Sequence, residues 1–324
     1  MKLSIINLAV SSWTWHDSFY AGDLHLLQVP EKAKQSNINL VELNDTMLPV
    51  GRFSRVQQWV RYALGYQASP KKQRKYRAAT IAKLGQELDK HDVECISWAI
   101  DSDFTLDHSD WREELAYIIT GFQTAQSLKA KYLRFTLGGA AAMGAEVDHI
   151  VVSRLKLISS IANKLYPTVK PIVENNFGIS ANTDRFLSML SQVPDIGICF
   201  DPSKLPQLDE DQTWKKLAAQ AELFHLKVYE FDSHQLDKEL NYIEVLRCLS
   251  ENNYDGFIVV ACEGEGNPSN VLKLVKQYLK TWSPLVTLAI PDTGSFTVNP
   301  VNSDAAPRYN LLSSFGASYS ETKS

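Results

Sequence analysis

Four short apolar runs in the second half of the chain each end in a side chain that binds metals. Pro171-Ile172-Val173 ends in Glu174, Ile196 to Phe200 in Asp201, Leu223-Phe224 in His225, and Phe257 to Cys262 in Glu263. Side chains alternate along a strand, so Glu174 shares a face with Ile172, Asp201 with Cys199, His225 with Leu223 and Glu263 with Ala261. In each pair an apolar residue suited to a barrel interior stands one layer below a polar one. A lone acid at a strand end caps a helix or meets a base as readily as it binds a metal. Four such ends in succession, in the order Glu, Asp, His, Glu, point to one shared site. Three carboxylates gathered without a cation would be costly, because two unit charges about 4 Å apart repel by roughly 4 kcal/mol at an effective dielectric of 20. A single divalent ion removes that conflict. Three oxygen donors and one nitrogen suit Mn²⁺ or Mg²⁺, with Zn²⁺, Co²⁺ or Fe²⁺ as alternatives, since no thiolate stands at a strand end to draw a softer metal.

The elements that must position these groups recur at an even spacing. Apolar or β-branched runs at Ser4–Val10, Asn39–Asn44, Val93–Ile100 and Lys131–Leu137 read as strands 1 to 4, and the four runs above as strands 5 to 8. Helical spacing fills the gaps: Leu24–Ser36, interrupted at Pro30; Val56 to about Lys90, broken at Ser69-Pro70; and Ser109 to about Ser127. It continues over Asp148–Leu165, Thr183–Ser191, about Glu210–Gln220, about Asp237–Glu251 and Ser269–Thr281. Eight strand-then-helix units between residues 4 and 282, about 35 residues each, have the size and alternation of an eight-stranded parallel (β/α)8 TIM barrel, an α/β fold. A doubly wound open sheet is disfavoured, because no Gly-x-Gly-x-x-Gly turn follows strand 1 and ligand-type residues recur on strands spread through the second half. Residues 1–283 therefore read as the barrel. Residues 284–324 read as a C-terminal extension, disordered or adding short strands, because Pro284, Pro291, Pro300 and Pro307 exclude a long helix and seven serines lie among them.

Composition narrows the classes. The 324 residues are 44% hydrophobic, enough for a sizeable core. With 33 Lys plus Arg against 37 Asp plus Glu, the net charge of −4 offers no general attraction to nucleic acid or anionic membrane. Cys95, Cys199, Cys248 and Cys262 are widely spaced and sit in apolar runs, as core residues of a reducing compartment do. No apolar run approaches the roughly 20 residues that span a bilayer. The expected location is the cytoplasm.

The segments VENN, CFDPSK, FHLKVYEFD and ACEGEG, with strand 2 ending in LVELND and strand 4 in RFTLGG, resemble the xylose-isomerase-like barrel superfamily of sugar isomerases, epimerases and related dehydratases. The likeness spans residues 4–282 and not the tail. The resemblance implies that Glu174, Asp201, His225 and Glu263 are the ligands of a single divalent metal, and that Glu174 and Glu263 form the acid/base pair flanking a sugar-like small-molecule substrate. Barrels of this type often pair into homo-oligomers. One departure stands out: where many such enzymes carry Asp-x-x-His after strand 6, this chain has Asp201-Pro202-Ser203-Lys204.

Other residues at the strand ends have two readings each. Lys227, two beyond His225, binds a substrate oxygen or pairs with a carboxylate. Lys204 replaces the usual histidine as a cationic substrate contact or is a solvated loop lysine. Arg134 and Glu42 reach the substrate or form a structural pair under the mouth. His16, with Trp13 and Trp15, walls a sugar site or is an ordinary loop histidine. The run Lys71–Arg77 reads as a solvated helix start. An abasic-site nuclease would call for a histidine-rich multi-metal site and a basic surface, which seven histidines and a negative charge do not supply. A barrel that binds sugar or metal without turnover is the remaining alternative.

Overall fold

In the computed structural model, which describes residues 7–48, 78–204, 213–229, 242–264 and 267–288, eight parallel strands close on themselves in sequence order. They are β1 (Leu8–Ser11), β2 (Leu40–Asn44), β3 (Glu94–Ala99), β4 (Tyr132–Phe135), β5 (Lys170–Glu174), β6 (Gly197–Phe200), β7 (Ala221–Val228) and β8 (Phe257–Cys262). Closure is made by β1 on β8, with Leu8, Ala9 and Val10 opposite Ile258, Val259 and Val260. The helices between them are α1 (His16–Tyr20), α2 (Val29–Gln35), α3 (Ala78–His91), α4 (His108–Ser127), α5 (Asp148–Leu165), α6 (Thr183–Leu190), α7 (Thr213–Ala218), α8 (Tyr242–Glu251) and α9 (Pro268–Leu288). The expected (β/α)8 TIM barrel is the observed fold.

Two apolar cores follow from strand alternation. One lies between the barrel and its helices, where α3 contributes Ile81, Leu84 and Leu88 and α5 contributes Val151, Leu155 and Ile158, at helical spacing. The other is a small plug inside the barrel made of Ala9, Ile96, Tyr132, Ile172, Cys199, Leu223 and Val259. Two residues beyond most of these plug positions, toward the C-terminal ends of the strands, the inward residues become polar: Ser11, Arg134, Glu174, Asp201 and His225. The plug is the floor on which the polar mouth stands.

Two local expectations change, and one irregularity was not anticipated. Pro30 does not interrupt a helix but stands in the first turn of α2, where its missing N–H costs nothing, and a short 3₁₀ turn over Leu26–Gln28 precedes it. The last helix does not stop at Thr281. It runs through Pro284 to Leu288, past the expected domain boundary at 283, forgoing the one internal hydrogen bond that proline cannot donate. Strand 3 carries a register shift against β2 between Val41 and Glu42, so that Ser97 rather than Ile96 stands opposite Glu42. Ser69-Pro70, the Lys71–Arg77 run and residues 289–324 lie outside the described residues. No helix among the described residues is long and apolar enough to cross a membrane.

Candidate metal centre

Glu174 ends β5 and is 3% exposed; Asp201 follows β6 and His225 lies within β7, at 0% and 2%. Local structure fixes each of them. The Asn175 side chain makes a two-way bridge to the backbone of Asp201: its Nδ2 donates to the Asp201 carbonyl at 2.7 Å and its Oδ1 accepts from the Asp201 N–H at 2.7 Å. Asp201 Oδ1 is then held by Ser203, whose N–H and hydroxyl donate to it at 2.9 and 2.6 Å. The amide of Asn176 donates to Glu174 Oε2 at 3.2 Å. Thus the two amides after Glu174 and the serine after Asp201 are aiming devices.

Around these groups runs a closed ring of charge. Arg134, from β4, donates through Nε to Glu42 Oε2 at 3.0 Å and through its terminal nitrogen to Glu174. His225 faces the same two carboxylates, Nδ1 at 3.1 Å from Glu174 Oε1 and Nε2 at 3.2 Å from Glu42 Oε1. Burial opposes ionisation of Glu42, but Arg134 and His225 outweigh it and hold its carboxyl down at about 2. Glu174 is likewise held well below the ordinary carboxylate range, burial being overcome chiefly by Arg134 and then by His225. For His225, burial disfavours the imidazolium, yet Cys199, Glu42 and Asp201 raise its pKa well above the usual value.

One storey higher stands a second group. Glu263, just beyond β8, forms an ion pair with Lys227 of β7 and accepts from Trp13 Nε1 at 2.9 Å. Its side chain is 18% exposed, against 4% for Glu174. Trp13 is placed there because the turn that carries it is tied to β8: Thr14 Oγ1 donates to the Val260 carbonyl at 3.4 Å and accepts from the Cys262 N–H at 3.2 Å. Gly264 lets β8 pass β7 at this point, since a Cβ there would lie 1.4 Å from the Tyr229 carbonyl oxygen. Burial works against both charges of the ion pair, but Glu263 lies below and Lys227 above its ordinary pKa because each faces the other.

One atom in this mouth is unsatisfied. Asp201 Oδ2 is buried with no hydrogen-bond partner among the described residues, 3.9 Å from His225 Nδ1, which is beyond hydrogen-bond reach. A buried carboxylate oxygen without a donor carries a desolvation cost that a proton, a cation or a hydrogen-bond donor recovers. His225 Nδ1 lies 3.1 Å from Glu174 Oε1, and the donor types suit a divalent ion. The compact donor cluster among the described residues does not include Asp201 or Glu263, so the structure does not draw the four expected ligands together. Cys199, expected on the inner face below Asp201, also stands close to Glu174 and His225. Its thiol falls in a cluster with Glu174 and His225 whose donor atoms all lie within 4.8 Å of one another, because it shares the inner face of β6 one layer below Asp201. Burial pushes this thiol's pKa up to about 11, so it stays protonated and supplies no thiolate to draw a softer metal.

Of the open readings, Arg134–Glu42 and Lys227–Glu263 are ion pairs. His16 stacks on Trp13 with ring centroids 4.8 Å apart and planes 4° from parallel, and Trp15 is buried in the core. Lys204 lies over the Phe177 ring, 4.6 Å from its centroid. Sequence reasoning missed Ser97, which faces inward only because of the bulge opposite Glu42, and the Trp13 indole as a donor to Glu263.

The family description of a xylose isomerase-like TIM barrel matches residues 61–282, more than two thirds of the chain. This chain belongs to that family. No curated protein matches it. Among solved structures, a D-tagatose 3-epimerase-like protein superposes with a TM-score of 0.61 at 16% identity, covering 88% of this chain and 100% of that one. A probable 3-DHS dehydratase, AsbF of Bacillus anthracis, gives 0.57 at 13%, covering 87% and 98%. A xylose isomerase-like TIM barrel protein from Mycobacterium smegmatis in complex with magnesium gives 0.57 at 13%, covering 88% and 98%. At these identities the likeness is one of fold.

Proposed function

We propose that this member of the family is a divalent-metal-dependent enzyme that moves a proton on the carbon beside a carbonyl of a sugar-like molecule, as an isomerase or epimerase. The observation that carries the reading is the unsatisfied Asp201 Oδ2, buried 3.9 Å from His225 Nδ1 at the mouth of this barrel. Glu174, Asp201, His225 and Glu263 would hold the ion. When bound there, a divalent ion supplies Lewis-acid polarisation of a carbonyl and compensates the carboxylates.

The chain's own residues do the rest. Glu263 sits at the rim, partly exposed and ionised, where it takes the proton from the carbon next to the carbonyl; Glu174 is its partner across the site. Such acid/base participation contributes about 10²–10⁴-fold. Lys227 holds Glu263 in its ionised form until substrate arrives and then offers its ammonium to a substrate oxygen. The Trp13–His16 stack would give a flat apolar wall for sugar C–H groups, and Lys204, lying over Phe177, would be a cationic contact for the substrate. Loss of hydroxide after the same first step would make a dehydratase, so the shared step is the one to measure.

Purified protein with Mn²⁺ in D₂O, presented with keto-sugars, inososes and hydroxy-keto acids, is expected to incorporate deuterium beside the carbonyl of at least one class. Chelator and Glu263→Gln should each abolish it. Exchange that persists in Glu263→Gln would remove the acid/base role, and no exchange in the wild type would favour a barrel that binds without turnover.

A further inference from the structure

The two nitrogens of His225 face different things. Nδ1 looks toward Glu174 Oε1 and the unsatisfied Asp201 Oδ2, at 3.1 and 3.9 Å. Nε2 points the other way, 3.2 Å from Oε1 and 3.3 Å from Oε2 of Glu42. Glu42 is 0% exposed and cannot turn to meet a ligand in solvent. Its carboxylate is pinned by three further donors: Arg134 Nε at 3.0 Å, Ser97 Oγ at 3.1 Å and Ser11 Oγ at 3.3 Å. Ser97 reaches it only through the register shift in β3, so a local irregularity of the barrel serves this one carboxylate.

We propose that Glu42 is a positioning residue: it holds the proton of His225 on Nε2 and leaves Nδ1 as the nitrogen that takes the metal. The inference rests on the metal-centre reading above. A neutral imidazole carries one N–H, and carboxylates face both ring nitrogens here. Glu174 belongs to the proposed ligand set and would turn to the cation, whereas Glu42 is pinned, so the N–H stays on the Glu42 side. That fixes the plane of the ring and makes the other nitrogen the better donor to a cation. Here the carboxylate lies on the side of the ring away from Asp201. Arg134 ties Glu42 to Glu174 as well, so the carboxylate that aims the imidazole is anchored to another side chain of the proposed ligand set.

The test is nitrogen-15 NMR of the histidine side chains in Zn²⁺-loaded full-length protein, paired with calorimetric titration of Mn²⁺. The expected result is a proton on Nε2 of His225 and metal at Nδ1, with Glu42→Gln weakening Mn²⁺ by about 10–100-fold and Ser97→Ala by less. The reversed assignment, or unchanged affinity in folded Glu42→Gln, would overturn the proposal. Should Glu42→Gln not fold, the wild-type ring assignment decides alone. Wild-type protein that takes up neither ion would remove the metal-centre reading and this inference together, whereas binding with the reversed assignment removes this inference only.

Discussion

Two storeys of the same barrel carry charge in different ways. The lower one, Glu42, Arg134, Glu174 and His225, is a closed ring drawn from β2, β4, β5 and β7, in which each carboxylate meets both cations and no side chain is more than 8% exposed. The upper one is a single pair, Lys227 with Glu263, held from one side by Trp13 and open to solvent on another. Two residues of strand separate them. The lower storey behaves as scaffold, because removing any member strands a buried charge. The upper storey can exchange partners, because its carboxylate has water to turn to. On the proposed function, proton transfer would begin in the upper storey with Glu263 leaving Lys227, and Glu174 of the lower storey would be its partner.

The largest expected difference between the storeys is in stability. Arg134→Met leaves Glu42 and Glu174 buried with half their compensation, and unfolding in urea should show a loss of about 3–5 kcal/mol. Lys227→Met should cost less, about 1–2 kcal/mol by the same measurement, since the freed Glu263 is partly solvated. The same variant should bind Mn²⁺ more tightly by calorimetry, because the carboxylate no longer has an internal cation to leave. If Lys227→Met were as damaging as Arg134→Met, the two storeys would be one structural unit.

Acidity acts on the ring with a definite sign. The carboxyls of Glu42 and Glu174 are depressed on folding, so their stabilisation is full above the ordinary value of 4.5 and is lost as pH falls through their lower folded values, about 2 for Glu42. His225 is raised, so its stabilisation is full below 6.5 and fades as pH climbs through its higher folded value. A metal must expel that proton, hence Mn²⁺ affinity should rise about tenfold per pH unit through the neutral range while one proton is displaced. Affinity independent of pH from 6 to 8, by titration in several buffers, would mean that His225 is neutral in the free protein. The smallest effect is expected of Trp13→Phe, which removes one donor from Glu263. It should cost about 1 kcal/mol in a thermal melt and shift the acid limb of deuterium exchange upward in pH, since Glu263 is then less firmly held in its ionised form.

Much of the barrel could be read from periodicity. Asp148–Leu165 is a helix with the expected bounds, and each of the eight apolar runs overlaps a strand of the sheet. The same-face rule also placed Ile172, Cys199 and Leu223 in the plug beneath Glu174, Asp201 and His225. The Arg134–Glu42 pair and a carboxylate partner for Lys227 were among the open readings; what could not be read was that Arg134 also meets Glu174 and that His225 faces both carboxylates. Arg134 is 92 residues from Glu42 and 40 from Glu174, and alternation gives height in the barrel without giving the partner across it. Ser97 was hidden because a bulge changes the facing rule by one residue. Helix ends fared worst where proline was concerned: Pro30 begins α2 instead of breaking it, and α9 continues through Pro284.

The central claim, a divalent ion among Glu174, Asp201, His225 and Glu263, is most directly tested by anomalous diffraction from crystals grown with Mn²⁺. The expected result is one strong anomalous peak at the barrel mouth, bonded to Asp201 Oδ2 and His225 Nδ1, with Glu263 drawn away from Lys227. No peak there, with Lys227 and Glu263 still paired and Asp201 Oδ2 still unpartnered, would contradict it.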